Sequence, residues 1–186
     1  MSIKSVFKKL IPKSIFGPYH YLMGALGAAL FLFPSRKMRV IGITGTSGKS
    51  TTVFILRHIL DISGRKCGAL STIEFRTGGR TKLNNKKMTM LGRVQLQRML
   101  NAMVRKGCKY AIVETTSEGV VQYRHKFINY DTAVFTNLYP EHIESHGGFE
   151  NYKAAKVYFN EIVNDYSDTV WAKKSLERIQ ELGKEK

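Results

Sequence analysis

The sequence predicts a three-layer α/β domain, a parallel sheet with helices on both faces, preceded by an apolar helix. From residue 39 onward, short apolar runs alternate with segments of helical periodicity, and strands that alternate with helices form parallel sheets covered on both sides. A glycine-rich loop stands between the first apolar run and the first helical segment. The length of 186 residues, 43% of them hydrophobic, is enough for one domain with a real core.

Apolar runs bounded by glycine or polar turns predict buried strands, and apolar residues repeating every three to four positions predict helices. The predicted strands are residues 40–44, 67–73, 110–113 and 132–135. The predicted helices are residues 50–62, 94–104 and 150–163, and residues 78–85 are predicted to be a polar loop. The two cysteines, Cys67 and Cys108, match no metal-binding spacing and are interpreted as buried thiols.

Residues 1–37 differ from the rest of the chain. A basic start leads into the apolar run 21–33, which Pro34 and a basic cluster end. The run is shorter than the roughly 20 residues that span a bilayer, and no small-residue cleavage site of a signal peptide follows it. Two interpretations stay open: a helix packed on the domain, or a helix lying on the membrane interface.

The formal net charge of +16 is unevenly distributed. Seven lysines and arginines and no acid precede residue 41, and a second acid-free basic stretch spans residues 76–109. Such charge is typical of a solvated basic face, or of a surface that binds an anionic membrane, a nucleic acid or a phosphate-bearing substrate. No nucleic-acid recognition module is visible, so a nucleic acid partner is not expected.

The loop contains Gly45, Thr46, Ser47, Gly48, Lys49, Ser50 and Thr51. Glycines let the backbone approach phosphates, and the amino end of the following helix attracts negative charge. In such loops the lysine reaches the β- and γ-phosphates and the next hydroxyl ligates Mg²⁺. Ile43 occupies the place of the usual first glycine, so this is a shorter variant of the motif. The loop predicts binding of a nucleoside triphosphate.

Two further polar clusters follow predicted strands. Glu114 ends one strand, where a carboxylate faces the ligand crevice of a parallel sheet. Residues 136–147 follow the next predicted strand, 132–135, and include Asn137, His142 and His146. The two histidines stand four apart, as in some zinc sites, but Pro140 and the glycines after His146 favour a loop without a third ligand.

Together these segments resemble the central, ATP-binding domain of the Mur ligases, and the likeness is closest to the UDP-N-acetylmuramoyl-tripeptide synthetases. The shared segments are G-T-S-G-K-S-T, E-T-T-S-E-G-V-V-Q-Y-R and T-N-L-Y-P-E-H-I-E-S-H-G-G-F-E-N-Y-K-A-A-K, within residues 38–162. The resemblance implies a cytoplasmic, ATP-dependent ligase of peptidoglycan synthesis, which activates the carboxylate of a UDP-muramoyl peptide as an acyl phosphate and joins it to an amino acid.

The resemblance also implies roles for individual residues. Catalysis is expected of Lys49, Glu114, His142 and Lys156. Nucleotide contacts are expected of the loop 45–51 and Asn137, and Mg²⁺ contacts of Ser50, Glu114, His142 and Lys156. Lys156 matches a lysine that CO₂ carbamylates in the family, although composition alone indicates a solvated helix lysine. Thr89, Thr116 and Arg124 match positions that contact the UDP-muramoyl peptide.

The sequence departs from the family pattern in places. Leu91 and Glu118 replace residues common there, which leaves the acceptor undetermined. The predicted organisation is a leader at 1–37, an incomplete Mur ligase central domain at 38–165 and a charged helical tail at 166–186. The chain alone is therefore expected to bind Mg-ATP weakly and to ligate inefficiently. The alternatives are a folylpolyglutamate-synthetase-like ligase and an ATP-binding fragment or interaction module without ligase activity, which recruits a partner or lies on the membrane through residues 1–37.

Overall fold

The structure, a computed structural model, describes residues 13–85 and 88–137. The strands are β1 (Arg39–Thr44), β2 (Cys67–Leu70), β3 (Glu74–Thr77), β4 (Arg80–Leu83), β5 (Tyr110–Glu114) and β6 (Thr132–Phe135). The helices are α1 (Lys13–Leu30), α2 (Lys49–Ile62), α3 (Arg93–Arg105) and α4 (Ser117–Val121), with a 3-10 turn at Pro34–Lys37. The predicted helix 150–163 and tail 166–186 lie outside the described residues.

The six strands form one sheet in the order β4-β3-β2-β5-β1-β6. Strands β2, β5, β1 and β6 run parallel, with β1 paired to β5 on one side and to β6 on the other. Helices connect most of these strands, as parallel neighbours require. The predicted α/β class, with a mostly parallel sheet, is confirmed.

One part of the prediction is wrong. Residues 78–85 were expected to be a polar loop, but β3 and β4 form an antiparallel hairpin that extends the sheet. Gly78 and Gly79 form its two-residue turn, with φ of 55° and 96°, and positive φ at both positions is what a tight hairpin turn needs. All four residues of β4 are exposed, so this edge strand carries no apolar alternation for a pattern to detect.

Each face of the sheet carries its own apolar core. On one face, Leu96, Leu100 and Met103 of α3 pack with Val40 and Val113 of the strands. On the other face, Val53 and Leu60 of α2 pack with Ile43, Ala69 and Ile112. Alternate strand residues thus serve opposite faces, as the pleat dictates. Cys67 and Cys108 are buried and free, as predicted, and burial raises the pKa of the Cys67 thiol to about 11.

Helix α1 packs against α3. Small residues permit the contact: a Cβ on Gly27 would lie 3.0 Å from Cα of Val94, and one on Gly24 would lie 3.1 Å from the Phe127 ring. Ala28 on the same side is fully buried. Within the described ranges, no helix is long and apolar enough to cross a membrane.

Candidate nucleotide site at the carboxyl ends of the strands

The glycine-rich loop joins the end of β1 to the start of α2. Gly45 has a φ of 136° and Gly48 a φ of 77°, conformations that glycine adopts without strain. A Cβ on Gly48 would have no atom within 4 Å, so the backbone there is open to an approaching ligand. The first turn of α2 begins at Lys49, which directs the positive end of the helix dipole at the loop.

Lys49 folds back over this loop. Its Nζ donates to the carbonyl oxygens of Gly45 at 2.7 Å and Thr46 at 2.8 Å. Partial burial lowers the pKa of Lys49 and the negative charge of Glu114 works against that shift. The ammonium group is thus held at the amino end of α2, where an anionic phosphate oxygen would be a stronger acceptor than the neutral carbonyl oxygens.

The Glu114 carboxylate lies at the carboxyl end of β5 and is almost fully buried. It accepts hydrogen bonds from the Ser50 hydroxyl at 3.0 and 2.9 Å to its two oxygens. It also accepts from the backbone N–H of Thr72 at 2.8 Å and from the Thr72 hydroxyl at 3.0 Å. A buried carboxylate needs such partners, and these orient both of its oxygens towards α2 and the end of β2.

A cavity of about 330 Å³ opens at this rim. Its lining comprises Gly48, Lys49, Ser50, Thr51, Thr72, Thr89, Glu114 and Thr116. For seven of these eight, all but Thr72, the loop motif or the family resemblance predicts a nucleotide, metal or substrate contact. The loop, the end of β5 and the segment carrying Thr89 are far apart in sequence, and the parallel sheet brings them to one edge.

Thr72 is the lining residue that sequence reasoning missed. Its hydroxyl lies 2.8 Å from that of Thr89 and 3.0 Å from Glu114, so it connects a predicted metal ligand to a predicted substrate contact. The predicted strand 67–73 included Thr72, whereas β2 ends at Leu70. A strand end placed after Leu70 would have identified Thr72 by the reasoning applied to Glu114.

Two further predicted site residues, Arg124 and Asn137, lie in the described part of the chain. The Arg124 guanidinium donates to the carbonyl oxygen of Met90 and, at 2.7 Å, to Gln122, and it is not among the described residues lining the cavity. Because Met90 follows Thr89, Arg124 braces the segment that carries Thr89. Asn137 is half-buried and ends the described part of the chain, and His142 and Lys156 lie outside it.

The back of the glycine-rich loop is tied to β6. The Thr136 hydroxyl donates to the carbonyl oxygens of Ser47 at 2.7 Å and Thr44 at 3.1 Å, and its backbone N–H donates to Thr44 at 2.9 Å. Thr116 caps α4 by accepting from the Gly119 N–H at 3.1 Å. Hydrogen bonds thus fix both the loop and the opposite wall of the cavity without a ligand. This reduces the conformational entropy that is lost on binding.

The donor set at this rim fits Mg²⁺. The Ser50 hydroxyl and the Glu114 carboxylate are adjacent hard oxygen ligands, and Mg²⁺ is usually held by one or two such groups together with substrate phosphates and water. Within residues 13–85 and 88–137, no three His, Cys, Asp or Glu side chains are grouped as a metal cage. The described residues thus provide a partial coordination sphere suited to a metal that a nucleotide brings with it.

A family model described as the Mur ligase middle domain matches residues 43–185. The chain belongs to the Mur ligase family. It is 33% identical over 148 residues to a UDP-N-acetylmuramyl-tripeptide synthetase of Roseiflexus sp. (strain RS-1), covering 78% of this Mur ligase chain and 29% of the relative. It is 38% identical over 136 residues to the protein of that name from Treponema denticola, covering 72% and 26%.

A second group of relatives bears a different name. This Mur ligase chain is 34% identical over 150 residues to a UDP-N-acetylmuramoyl-L-alanyl-D-glutamate--2,6-diaminopimelate ligase of Wigglesworthia glossinidia brevipalpis, covering 81% of the chain and 30% of the relative. A solved structure with that ligase name has a TM-score of 0.54 and 28% identity, covering 66% of the chain and 24% of its own length. The chain thus spans less than a third of the length of these relatives.

Proposed function

We propose that this chain binds ATP with Mg²⁺ and activates the carboxylate of a UDP-muramoyl peptide for amide-bond formation with an amino acid, in the cytoplasmic stage of peptidoglycan synthesis. The observation that carries the proposal is the junction of Lys49, Ser50 and Glu114 at one rim, where Ser50 lies 2.9 Å from the carboxylate and Lys49 heads the adjoining helix. Membership of the Mur ligase family supports the choice of reaction.

The first step brings two anions together, because the substrate carboxylate attacks the γ-phosphorus of ATP and ADP leaves. Lys49 would bind the phosphate oxygens and offset the charge that builds up in the transition state. The backbone N–H groups of the loop and the amino end of α2 would bind the remaining oxygens. Mg²⁺, when bound at Ser50 and Glu114, would supply further charge neutralisation and alignment.

The product of this step is an acyl phosphate, and the amine of an amino acid then displaces the phosphate to form the amide. Thr89 and Thr116 lie in the cavity wall with Glu114, where their hydroxyls would orient the muramoyl-peptide carboxylate beside the nucleotide. Arg124 would act by holding the Thr89 segment in place, since it donates to the Met90 carbonyl.

Three further assignments rest on the resemblance and belong to the proposal. His142 and a carbamylated Lys156 would contribute to a second metal position, and Asn137 to the nucleotide site. The nucleotide chemistry would belong to residues 38–165, with residues 1–37 as a leader and 166–186 as a tail.

Calorimetric titration of the chain with Mg-ATP tests the nucleotide site. Lys49→Ala should lower the affinity about 30-fold or more, because a charge-assisted contact to phosphate is lost. Lys82→Ala is the matched control, since Lys82 is an exposed lysine on edge strand β4. Equal affinity for Lys49→Ala and the unaltered chain would contradict the assignment.

Release of phosphate from ATP, measured with and without a UDP-muramoyl dipeptide and candidate amino acids, tests the reaction. Stimulation by the dipeptide that Lys49→Ala abolishes would support carboxylate activation. On the chain alone we expect slow turnover, since domain closure commonly completes such sites. Nucleotide binding with no dipeptide-dependent release at any chain concentration would favour a binding module over a ligase.

A further inference from the structure

The second half of helix α1, residues 21–30, has no charged residue on any side, but the described structure covers only one side of it. The inner side, with Gly24, Gly27 and Ala28, is buried against α3 and the Phe127 segment. The opposite side exposes four large side chains at spacings of three and four residues: Tyr19, Leu22, Leu26 and Leu30. We call these four residues the outer stripe.

The outer stripe is a continuous feature of one helix face. Residues spaced three and four apart lie above one another on an α-helix, and each member of the outer stripe is more than half exposed, up to 70% at Leu30. Leu32, just beyond the helix end, is also 70% exposed. A helix that is apolar on all sides is normally buried on all sides, and contiguous exposed apolar side chains mark a surface that binds something.

The charge around α1 indicates what covers the stripe. The first acidic residue of the chain is Asp61, so α1 and everything before it carry no negative side chain. Lys4, Lys8 and Lys9 precede the helix in sequence, and Arg36 and Lys37 are exposed in the turn that follows it. Apolar residues along a helix that basic residues precede and follow in sequence complement an anionic lipid surface, where headgroups attract the cations and acyl chains accept the leucines.

We propose that α1 lies flat on an anionic lipid bilayer through the outer stripe, while its inner side stays packed on α3. Eighteen residues make a helix about 27 Å long, and a helix of this type enters the interface by only about 5–10 Å. The two interpretations left open by the sequence, a packed helix and an interfacial one, therefore apply to opposite sides of the same helix. The chain would be a peripheral membrane protein held by one helix face and its flanking cations.

Flotation of the whole chain with lipid vesicles tests this proposal. Vesicles of phosphatidylcholine with 30 mol% phosphatidylglycerol are compared with vesicles of phosphatidylcholine alone. We expect binding to the anionic vesicles that falls steeply between low and high salt, and much weaker binding to neutral ones. Leu26→Ser with Leu30→Ser should reduce the partition coefficient at least about tenfold, and Arg36→Gln with Lys37→Gln should reduce it about fivefold per charge.

The matched control removes two equally exposed apolar side chains elsewhere. Ile62 and Leu83 are 75% and 73% exposed, and Ile62→Ser with Leu83→Ser should leave the partition coefficient unchanged. Urea unfolding and Mg-ATP affinity should be the same for both double variants, which separates loss of lipid binding from misfolding and from the nucleotide site.

Three outcomes would overturn the proposal. The first is no flotation with anionic vesicles at low salt. The second is equal loss of binding in the Ile62/Leu83 control. The third is a lipid-free dimer, detected by light scattering, that Leu26→Ser with Leu30→Ser dissociates, since a second copy of the chain would then cover the outer stripe.

Discussion

The nucleotide rim and the outer stripe of α1 differ in how their side chains are partnered. At the rim, Glu114, Thr72 and Ser50 are linked by hydrogen bonds of 2.8 to 3.0 Å, and Thr72 reaches Thr89 in the same way. The four side chains of the outer stripe project from the molecule with more than half of their surface exposed. The polar side chains of the rim are held in place by hydrogen bonds to one another. The outer stripe, in contrast, presents apolar surface that the described structure leaves uncovered.

This difference shows that two kinds of binding surface arise from different physical causes. A phosphate site must place charges and donors within a few tenths of an ångström, so it is built where several strand ends converge on rigid elements. A lipid surface is fluid and needs only apolar area and positive charge. Substitutions at the rim should therefore act through geometry and charge, and those on the outer stripe through area.

Glu114→Gln should remove most of the contribution that Mg²⁺ makes to nucleotide binding. The amide retains the size of the carboxylate but removes the charge, so the gain in ATP affinity on adding Mg²⁺ should fall at least about tenfold. Titration of the nucleotide with and without Mg²⁺ measures this gain. Glu118→Gln is the control, because Glu118 is an exposed acid on α4 whose carboxylate accepts from Gln122. A Mg²⁺ effect that survives Glu114→Gln would remove Glu114 from the metal site.

Substitutions at neighbouring positions on the two sides of α1 should differ in their effect on the free energy of unfolding. Gly27→Leu should lower the free energy of unfolding by about 1–3 kcal/mol through overpacking, because a Cβ there already meets Val94 at 3.0 Å. Leu26→Ser, one residue earlier and exposed, should change it by less than about 0.5 kcal/mol. Urea unfolding of both variants measures these changes. Equal losses of unfolding free energy would mean that the outer stripe is covered in solution.

A smaller effect is expected at Thr72. Thr72→Val removes the hydroxyl that lies between Glu114 and Thr89 but keeps the backbone N–H contact, so Mg-ATP affinity should fall about fivefold, the equivalent of one hydrogen bond. Thr81→Val on the exposed edge strand β4 is the matched control. If Thr72 only fills space, the valine variant will bind Mg-ATP as the unaltered chain does.

The smallest effect concerns pH and distinguishes the two surfaces again. Partial burial lowers the pKa of Lys49, so its ammonium should be lost, and ATP affinity with it, at a lower alkaline pH than an ordinary lysine would allow. Lys49→Arg should flatten this dependence, because a guanidinium stays charged. Affinity measured from pH 7 to 10 tests both. Lys49 is not part of the outer stripe, so Lys49→Arg should leave lipid binding unchanged.

Much of the fold could be predicted because most of its strands and helices carry their own pattern of apolar residues in the sequence. The alternation of apolar runs with helical periodicity placed β1, α2, α3, β5 and β6 within one or two residues. The hairpin of β3 and β4 escaped prediction because its last strand is exposed throughout, has no alternation of apolar residues and is stabilised by pairing with its neighbour. Its one local signal was the pair Gly78 and Gly79, which can form a two-residue turn as readily as they can lie in a loop.

The sequence by itself determined the glycine-rich loop, the strand-end position of Glu114, the basic charge of residues 1–37 and membership of the Mur ligase family. These depend on residue type and spacing within one segment. Only the tertiary structure decided that Thr72 joins Glu114 to Thr89, that Arg124 braces the Met90 carbonyl, and that α1 buries its glycine side and exposes its leucines. Each of these depends on contacts between segments distant in sequence, and a helix that is apolar all round carries no pattern to say which side is covered.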